Sequence, residues 1–116
     1  MARLRSDIWV SAHLRRCAVE GLAAVLRRRG SAESGAIFIK VDRLDGTASL
    51  YGPAPQALVE DREEERLFGP ILVDAPALDV EERMRREIRF DPDLWLMEIE
   101  DRAGRHFLPL AEEGEP

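Results

Sequence analysis

The dipeptide Asp45-Gly46 lies between two runs in which apolar and polar residues alternate, Ala36–Asp42 and Thr47–Tyr51. Glycine readily adopts the positive φ that a tight hairpin turn requires. Asp-Gly between two alternating runs is therefore a strong local signal for a β-hairpin. The sequence predicts an antiparallel pair of strands here, and this pair limits the fold to one that contains a β-sheet.

Three further segments are predicted to be strands. A second, weaker hairpin is expected where Leu94–Glu100 and His106–Leu108 flank a turn at residues 102–104. Leu22–Arg29, which lies between Gly21 and Gly30, is interpreted as a first strand, with a continuation of the preceding helix as the alternative. Arg66–Val73 is interpreted as one strand broken at Gly69-Pro70 or as two short pieces around a kink there, and the missing N–H of the proline favours an edge position.

Two helices are predicted. Ser6 or Asp7 is suited to cap a helix that runs to about Val19, although the apolar residues in its first half also alternate as in a strand. Asp79 is expected to cap the second helix, which ends near Arg89 or Phe90 because Pro92 disfavours helical geometry at the residue before it. The buried side of this second helix is formed by residues at spacings of four: Val80, Met84 and Ile88.

The order of these elements predicts an α+β fold, with a mainly antiparallel sheet of about five or six strands and two helices packed on one face. The alternation predicts that one set of strand residues faces the helices: Ile37, Ile39, Val41, Trp95, Met97 and Ile99. We expect residues 1–110 to form a single domain and residues 111–116 to form an acidic flexible tail.

The composition excludes several classes of protein. The net charge is −6, and residues 1–29 carry +5, which leaves −11 for residues 30–116. Cys17 is the only cysteine, so no internal disulfide forms, and no apolar run approaches the roughly 20 residues that cross a bilayer. These features predict a cytoplasmic protein that has no membrane partner.

No catalytic, metal-binding or cofactor-binding motif is present in the sequence. His13 and Cys17 are four residues apart on the first predicted helix, but Cys17 lies on the apolar stripe, where a buried and unreactive thiol is expected. No serine has the G-x-S-x-G context, and no glycine-rich phosphate-binding loop occurs. We therefore predict no metal and no cofactor, and we consider an enzymatic activity less probable than its absence.

Two groups of residues are candidates for ligand binding. On the open face of the predicted sheet, a lysine with polar neighbours is suited to bind an anion: Lys40, Arg43, Tyr51 and His106. The junction between the second helix and the following strand offers Arg89, Asp91 and Asp93. The alternatives are that Lys40 only keeps an exposed face soluble and that the two aspartates only turn the chain around Pro92.

The arginines near the N-terminus are candidates for partner binding: Arg15, Arg16, Arg27, Arg28 and Arg29. Guanidinium groups neutralise phosphates or pair with acidic protein surfaces. Nucleic acid is the less probable partner, because the rest of the chain is strongly acidic. The acidic part of a second copy fits this basic segment at least as well.

Four blocks in order along the chain, Ser6–Val10, Gly35–Val41, Leu50–Pro55 and Arg89–Trp95, resemble a bacterial family of small proteins that is catalogued as a domain of unknown function. The resemblance spans nearly the whole chain. It implies a stand-alone bacterial protein, and it carries over no activity, cofactor or site residue.

The sequence thus favours a non-catalytic module that binds a protein partner or forms a homodimer. This prediction depends on the charge asymmetry, the possible edge strands and the missing catalytic pairs. The first alternative is a small-molecule or anion-binding domain, with or without an enzymatic activity, that uses the open sheet face. The second alternative is binding of nucleic acid through the N-terminal arginines.

Overall fold

The computed structural model describes residues 4–55 and 66–111, and over these residues the chain forms two helices and one five-stranded sheet. The strand order is β1-β5-β2-β3-β4, and every neighbouring pair is antiparallel except β2 and β5. The predicted α+β class and mainly antiparallel sheet are confirmed. The elements are α1 (Ser6–Val19), β1 (Ala23–Arg28), β2 (Ile37–Asp42), β3 (Thr47–Pro53), β4 (Phe68–Pro76), α2 (Ala77–Phe90) and β5 (Trp95–Glu100).

The hairpin predicted from Asp45-Gly46 is formed by β2 and β3. The Arg43 N–H donates to the Thr47 carbonyl at 3.0 Å, and Asp45 Oδ1 accepts from the Thr47 N–H at 2.9 Å. Leu44 and Gly46 have φ values of 62° and 91°. The connection is therefore longer than a two-residue turn, and its second left-handed position is occupied by the glycine.

The second predicted hairpin is wrong. β5 lies between β1 and β2, so both of its edges already carry hydrogen-bonding partners. The chain turns after β5, where the Gly104 N–H donates to the Asp101 carbonyl at 3.0 Å. It then crosses the sheet instead of pairing with β5, and Leu108 joins the core on the side of α1.

The two helices lie on opposite faces of the sheet, which corrects the prediction that both pack on one face. The face covered by α1, called the α1 face, contains the six predicted inward residues together with Val10 and Cys17 of the helix. The opposite face, called the α2 face, packs Val80 and Met84 against Phe38, Leu50 and Leu96. On the α2 face, β2 and β5 each contribute one apolar residue to this core, Phe38 and Leu96, and the residues that follow on the same face are charged.

The other predicted elements agree with the structure. Residues 22–29 contribute a strand, β1, and the broken strand around Pro70 is β4, which lies at an edge of the sheet. α2 begins at Ala77, two residues before the predicted cap, because Pro76 occupies the N-cap position. Apart from Ala111, the predicted tail lies outside the described residues. Neither described helix has the length and apolar character needed to cross a membrane.

Candidate functional site

Lys40 lies beneath α2. The prediction that it lies on an open face of the sheet is therefore wrong. Its side chain is 7% exposed, and its Nζ lies 2.5 Å from Glu81 Oε2 and 3.5 Å from Glu98 Oε2. Arg27 Nη1 reaches the same two carboxylates at 2.8 and 3.0 Å. The lysine is thus one member of a four-residue ion network that joins α2 to β1, β2 and β5.

The network holds the Glu81 carboxylate in the ionised form. The hydrogen bonds from Arg27, with a further contribution from Lys40, lower the pKa of Glu81 from 4.5 to about 2, against the opposing effect of burial. Each buried charge faces an opposite charge, so the cost of removing it from water is offset. This arrangement is suited to anchoring α2, because it leaves the Lys40 ammonium no exposed side on which to receive an anion.

The other three residues of the predicted sheet-face group lie together in a different place. Arg43 Nη1 binds Asp74 Oδ1 at 2.9 Å, and the Asp74 N–H donates to Ser49 Oγ at 2.9 Å. Tyr51 follows two residues later on the same side of β3, and its ring centroid lies 4.6 Å from that of His106. Ser49 and Asp74 also belong to this cluster, although the sequence did not predict them as site residues. Asp74 itself has a left-handed backbone (φ 49°) within β4, and this conformation brings it beside Ser49.

The polar groups of this cluster are satisfied within the chain. His106 Nδ1 accepts from the Leu108 N–H at 2.9 Å, and the His106 carbonyl lies 2.8 Å from His13 Nε2. Burial lowers the pKa of both histidines and raises that of Tyr51. Burial also raises the pKa of the Cys17 thiol, which disfavours the reactive thiolate. The cluster therefore attaches the C-terminal segment to α1 and β3.

The junction residues Arg89, Asp91 and Asp93 turn the chain between α2 and β5. The Asp91 N–H donates to the Glu87 carbonyl at 2.8 Å, and Asp91 Oδ1 accepts from the Asp93 N–H at 3.1 Å. The two carboxylates do not form a metal-binding group. In residues 4–55 and 66–111, the group with suitable spacing is Asp42, Glu98 and Glu100, in which Glu98 already neutralises Arg27 and Lys40.

The five candidate arginines are separated in the structure. Arg27 belongs to the ion network, and Arg28 Nη2 donates to the Pro92 carbonyl at 2.6 Å. The guanidinium of Arg16 lies over Phe107 and that of Arg29 lies over Trp95, at 4.8 and 5.3 Å from the ring centroids. Arg15 is exposed on α1. They do not form one continuous basic surface.

The outer edge of β1 is the most accessible backbone of the sheet. β1 pairs with β5 on one side, and no described residue pairs with its other side. Its first four residues are Ala23, Ala24, Val25 and Leu26, and Val25 is 58% exposed. A depression of about 490 Å³ lies beside the strand on the α1 face, and another of about 200 Å³ lies on the α2 face.

The opposite edge, β4, is protected. It contains Pro70 and Pro76 and has two register shifts against β3. The Phe68 N–H donates to the Pro109 carbonyl at 2.9 Å, and the Ala111 N–H donates to the Phe68 carbonyl at 2.9 Å. Prolines, irregular pairing and a covering segment are the usual means by which proteins prevent an edge from adding strands. β1 has one irregularity, between Leu26 and Arg28.

Comparison with known proteins gives a family and a set of similar structures. The family described as "Protein of unknown function (DUF1491)" matches residues 4–109. The solution structure of a protein from A. tumefaciens is 36% identical, covers 98% of this chain and 99% of its own, and superposes with a TM-score of 0.81. No curated protein matches the chain.

Two structures of a DUF1491 protein from Caulobacter crescentus CB15 are each 38% identical to the chain. The crystal structure covers 94% of this chain and 98% of its own, with a TM-score of 0.77. The NMR structure covers 97% of this chain and 100% of its own, with a TM-score of 0.78.

Proposed function

We propose that this chain, which belongs to the DUF1491 family of proteins of unknown function, is a non-catalytic interaction module that pairs with a second copy through β1. The observation that carries the proposal is the contrast between the two edges of the sheet: β4 is covered and interrupted by prolines, whereas β1 is open among the described residues and begins with four apolar residues. An open edge strand presents a row of N–H and C=O groups that a further strand satisfies.

The second copy fits this edge in an antiparallel arrangement about a twofold axis. With Val25 opposite Val25 of the second copy, Ala23 lies opposite Arg27, and the two sheets form one continuous sheet of ten strands. Two exposed valines at the centre then cover each other. An antiparallel pair of β-branched residues is a favourable cross-strand contact.

The charges along β1 complement this arrangement. The C-terminal end of the strand is basic, at Arg27–Arg29, whereas Glu20 precedes its N-terminal end and Glu100 pairs with Ala23 there. A twofold axis through Val25 places the basic end of each strand beside the acidic end of the other. The opposite charge of the two ends favours this pairing over a parallel one, in which like ends meet.

Sedimentation velocity over a wide range of protein concentration tests the proposal. The unchanged protein should show a concentration-dependent monomer–dimer equilibrium. Val25→Lys and Val25→Glu should each weaken it by about tenfold or more, because each places like charges opposite one another. A mixture of the two variants should restore a dimer, since Lys and Glu then meet. Val73→Lys, at a 60% exposed valine on β4, is the matched control and should leave the equilibrium unchanged.

Three results would overturn the proposal. The first is an unchanged protein that stays monomeric at every concentration. The second is a dimer that Val73→Lys disrupts and Val25→Lys does not. The third is a mixture of Val25→Lys and Val25→Glu that sediments as monomers, which would exclude the twofold contact at residue 25. Circular dichroism of each variant verifies that its fold is retained.

A further inference from the structure

A groove of about 490 Å³ lies between α1 and β1 on the α1 face. Apolar side chains line it from the helix, the strand and the start of β5: Val10, Leu14, Leu26 and Trp95. Two guanidinium groups, those of Arg15 and Arg29, line it as well. The volume is in the range of about 300–1,000 Å³ that is typical of small-molecule sites, which combine an apolar lining with a few polar groups.

The positive charges of this groove are not neutralised by neighbouring carboxylates. Over residues 4–55 and 66–111, the Arg15 side chain has no hydrogen bond or ion pair, and Arg29 contacts only the Trp95 ring. One acid lines the groove, Asp7, and Arg5 binds both of its oxygens at 3.2 Å. Arg27, two residues before Arg29, differs from both of these arginines because it has two carboxylate partners.

The stacking of Arg29 on Trp95 orients its guanidinium group for ligand binding. Its guanidinium lies 5.3 Å from the centroid of the Trp95 ring, which holds the charged group against the apolar lining. A planar guanidinium in this position still presents donors to a carboxylate, and charge-assisted hydrogen bonds of this kind are stronger than neutral ones. The groove thus combines an apolar surface with two guanidinium groups that have no acceptor among the described residues.

We propose that this groove binds a small amphiphilic carboxylate, with its apolar body along Ile8, Leu14 and Leu26 and its carboxylate at Arg15 and Arg29. An inorganic anion leaves the apolar lining uncovered, and a neutral hydrocarbon leaves the two guanidinium groups unpaired. The site lies within one chain and does not depend on pairing through β1.

The test uses three probes with the same protein: decanoate, decanol and acetate. Decanoate has both the apolar body and the charge, decanol has only the body, and acetate has only the charge. Calorimetry and tryptophan fluorescence should show saturable binding of one decanoate per chain. Decanol should bind at least about tenfold more weakly than decanoate, and acetate should show no saturable binding.

Substitutions assign the binding to the groove. Arg15→Gln and Arg29→Gln should each weaken decanoate about tenfold while leaving decanol unchanged. Ala12→Trp, which fills the groove from α1, should weaken both. Arg85→Gln, at an exposed arginine of α2, is the matched control and should bind as the unchanged protein does. Val25→Lys should also bind normally, which separates this test from that of the β1 interface.

The proposal is overturned by any of three results: decanoate that does not saturate, decanoate and decanol that bind equally, or an Arg85→Gln variant that loses as much affinity as Arg15→Gln. Retained affinity in Ala12→Trp would place the binding outside this groove and would equally refute the assignment.

Discussion

Replacing Glu81 by glutamine removes the carboxylate that connects α2 to the sheet. Glu81 Oε2 lies 2.5 Å from Lys40 Nζ and 2.8 Å from Arg27 Nη1, and its side chain is 24% exposed. Removing one partner of a buried ion pair costs about 3–5 kcal/mol. Because Lys40 keeps a contact with Glu98 at 3.5 Å, we expect Glu81→Gln to lower the free energy of unfolding at neutral pH by about 2–3 kcal/mol.

The lowered pKa of Glu81 gives a similar value for this loss of unfolding free energy. Its fall from 4.5 to about 2, at ~1.4 kcal/mol for each pH unit, corresponds to about 3.5 kcal/mol at most. The folded-state pKa is depressed, so the ionised carboxylate stabilises the fold fully above its unfolded-state pKa of 4.5. This contribution is lost as the pH falls from 4.5 towards 2. Glu81→Gln should therefore be most costly at neutral pH and nearly neutral at the acidic end.

Urea unfolding followed by tryptophan fluorescence, at several pH values from neutral to acidic, measures this difference. The quantity to compare is the difference in unfolding free energy between the unchanged protein and Glu81→Gln. Arg105 lowers the pKa of Asp101 to about 2, so protonation of Asp101 destabilises both proteins in the same acidic range and cancels in this difference. Glu82→Gln, at the exposed neighbouring residue of α2, is the matched control and should match the unchanged protein. A loss that stays constant across the pH range, or no loss at neutral pH, would refute the assigned role of the network.

Two further predictions concern the core. Gly35→Ala should lower the free energy of unfolding by about 1–3 kcal/mol, because an added Cβ would lie 2.4 Å from the Asp93 carbonyl oxygen. Thermal unfolding beside the exposed-site control Ser34→Ala measures this, and equal melting temperatures would contradict it. Cys17, which is buried and has a raised pKa, should react with a thiol reagent at neutral pH only as fast as the chain unfolds. A reaction as fast as that of a free thiol would show that Cys17 is accessible in the folded state.

Local patterns predicted most of the elements, because each signal lies within a few residues of the structure that it specifies. The Asp45-Gly46 turn indicates the β2–β3 hairpin, and the spacing of Val80, Met84 and Ile88 indicates α2. Fold class follows from such elements and their order. This explains why the class and the mainly antiparallel sheet were predicted correctly.

The errors concern relations between distant segments. The pattern at residues 94–108 resembles a hairpin, but β1 and β2 occupy both edges of β5. Which strands pair with β5 is determined by long-range contacts that a local pattern does not contain. Phe38 and Leu96 belong to the core beneath α2, but each is followed on the same face by charged residues, so the sequence gives only a weak signal for a helix on that side. The burial of Lys40 depends on Glu81, which lies 41 positions further along the chain. The left-handed backbone of Asp74 has no sequence signal at all.

The position of β5 has a consequence for how the chain reaches its native state. β1 and β2 are separated by one strand width, and the segment that fills this gap, Trp95–Glu100, is synthesised after the other four described strands. Until it is synthesised, the α1–β1 unit has no hydrogen-bonded connection to the β2–β3 hairpin. Pairing between segments this far apart slows folding and exposes unpaired edges in the meantime. A nascent chain of this protein is therefore most vulnerable to aggregation just before its final strand becomes available.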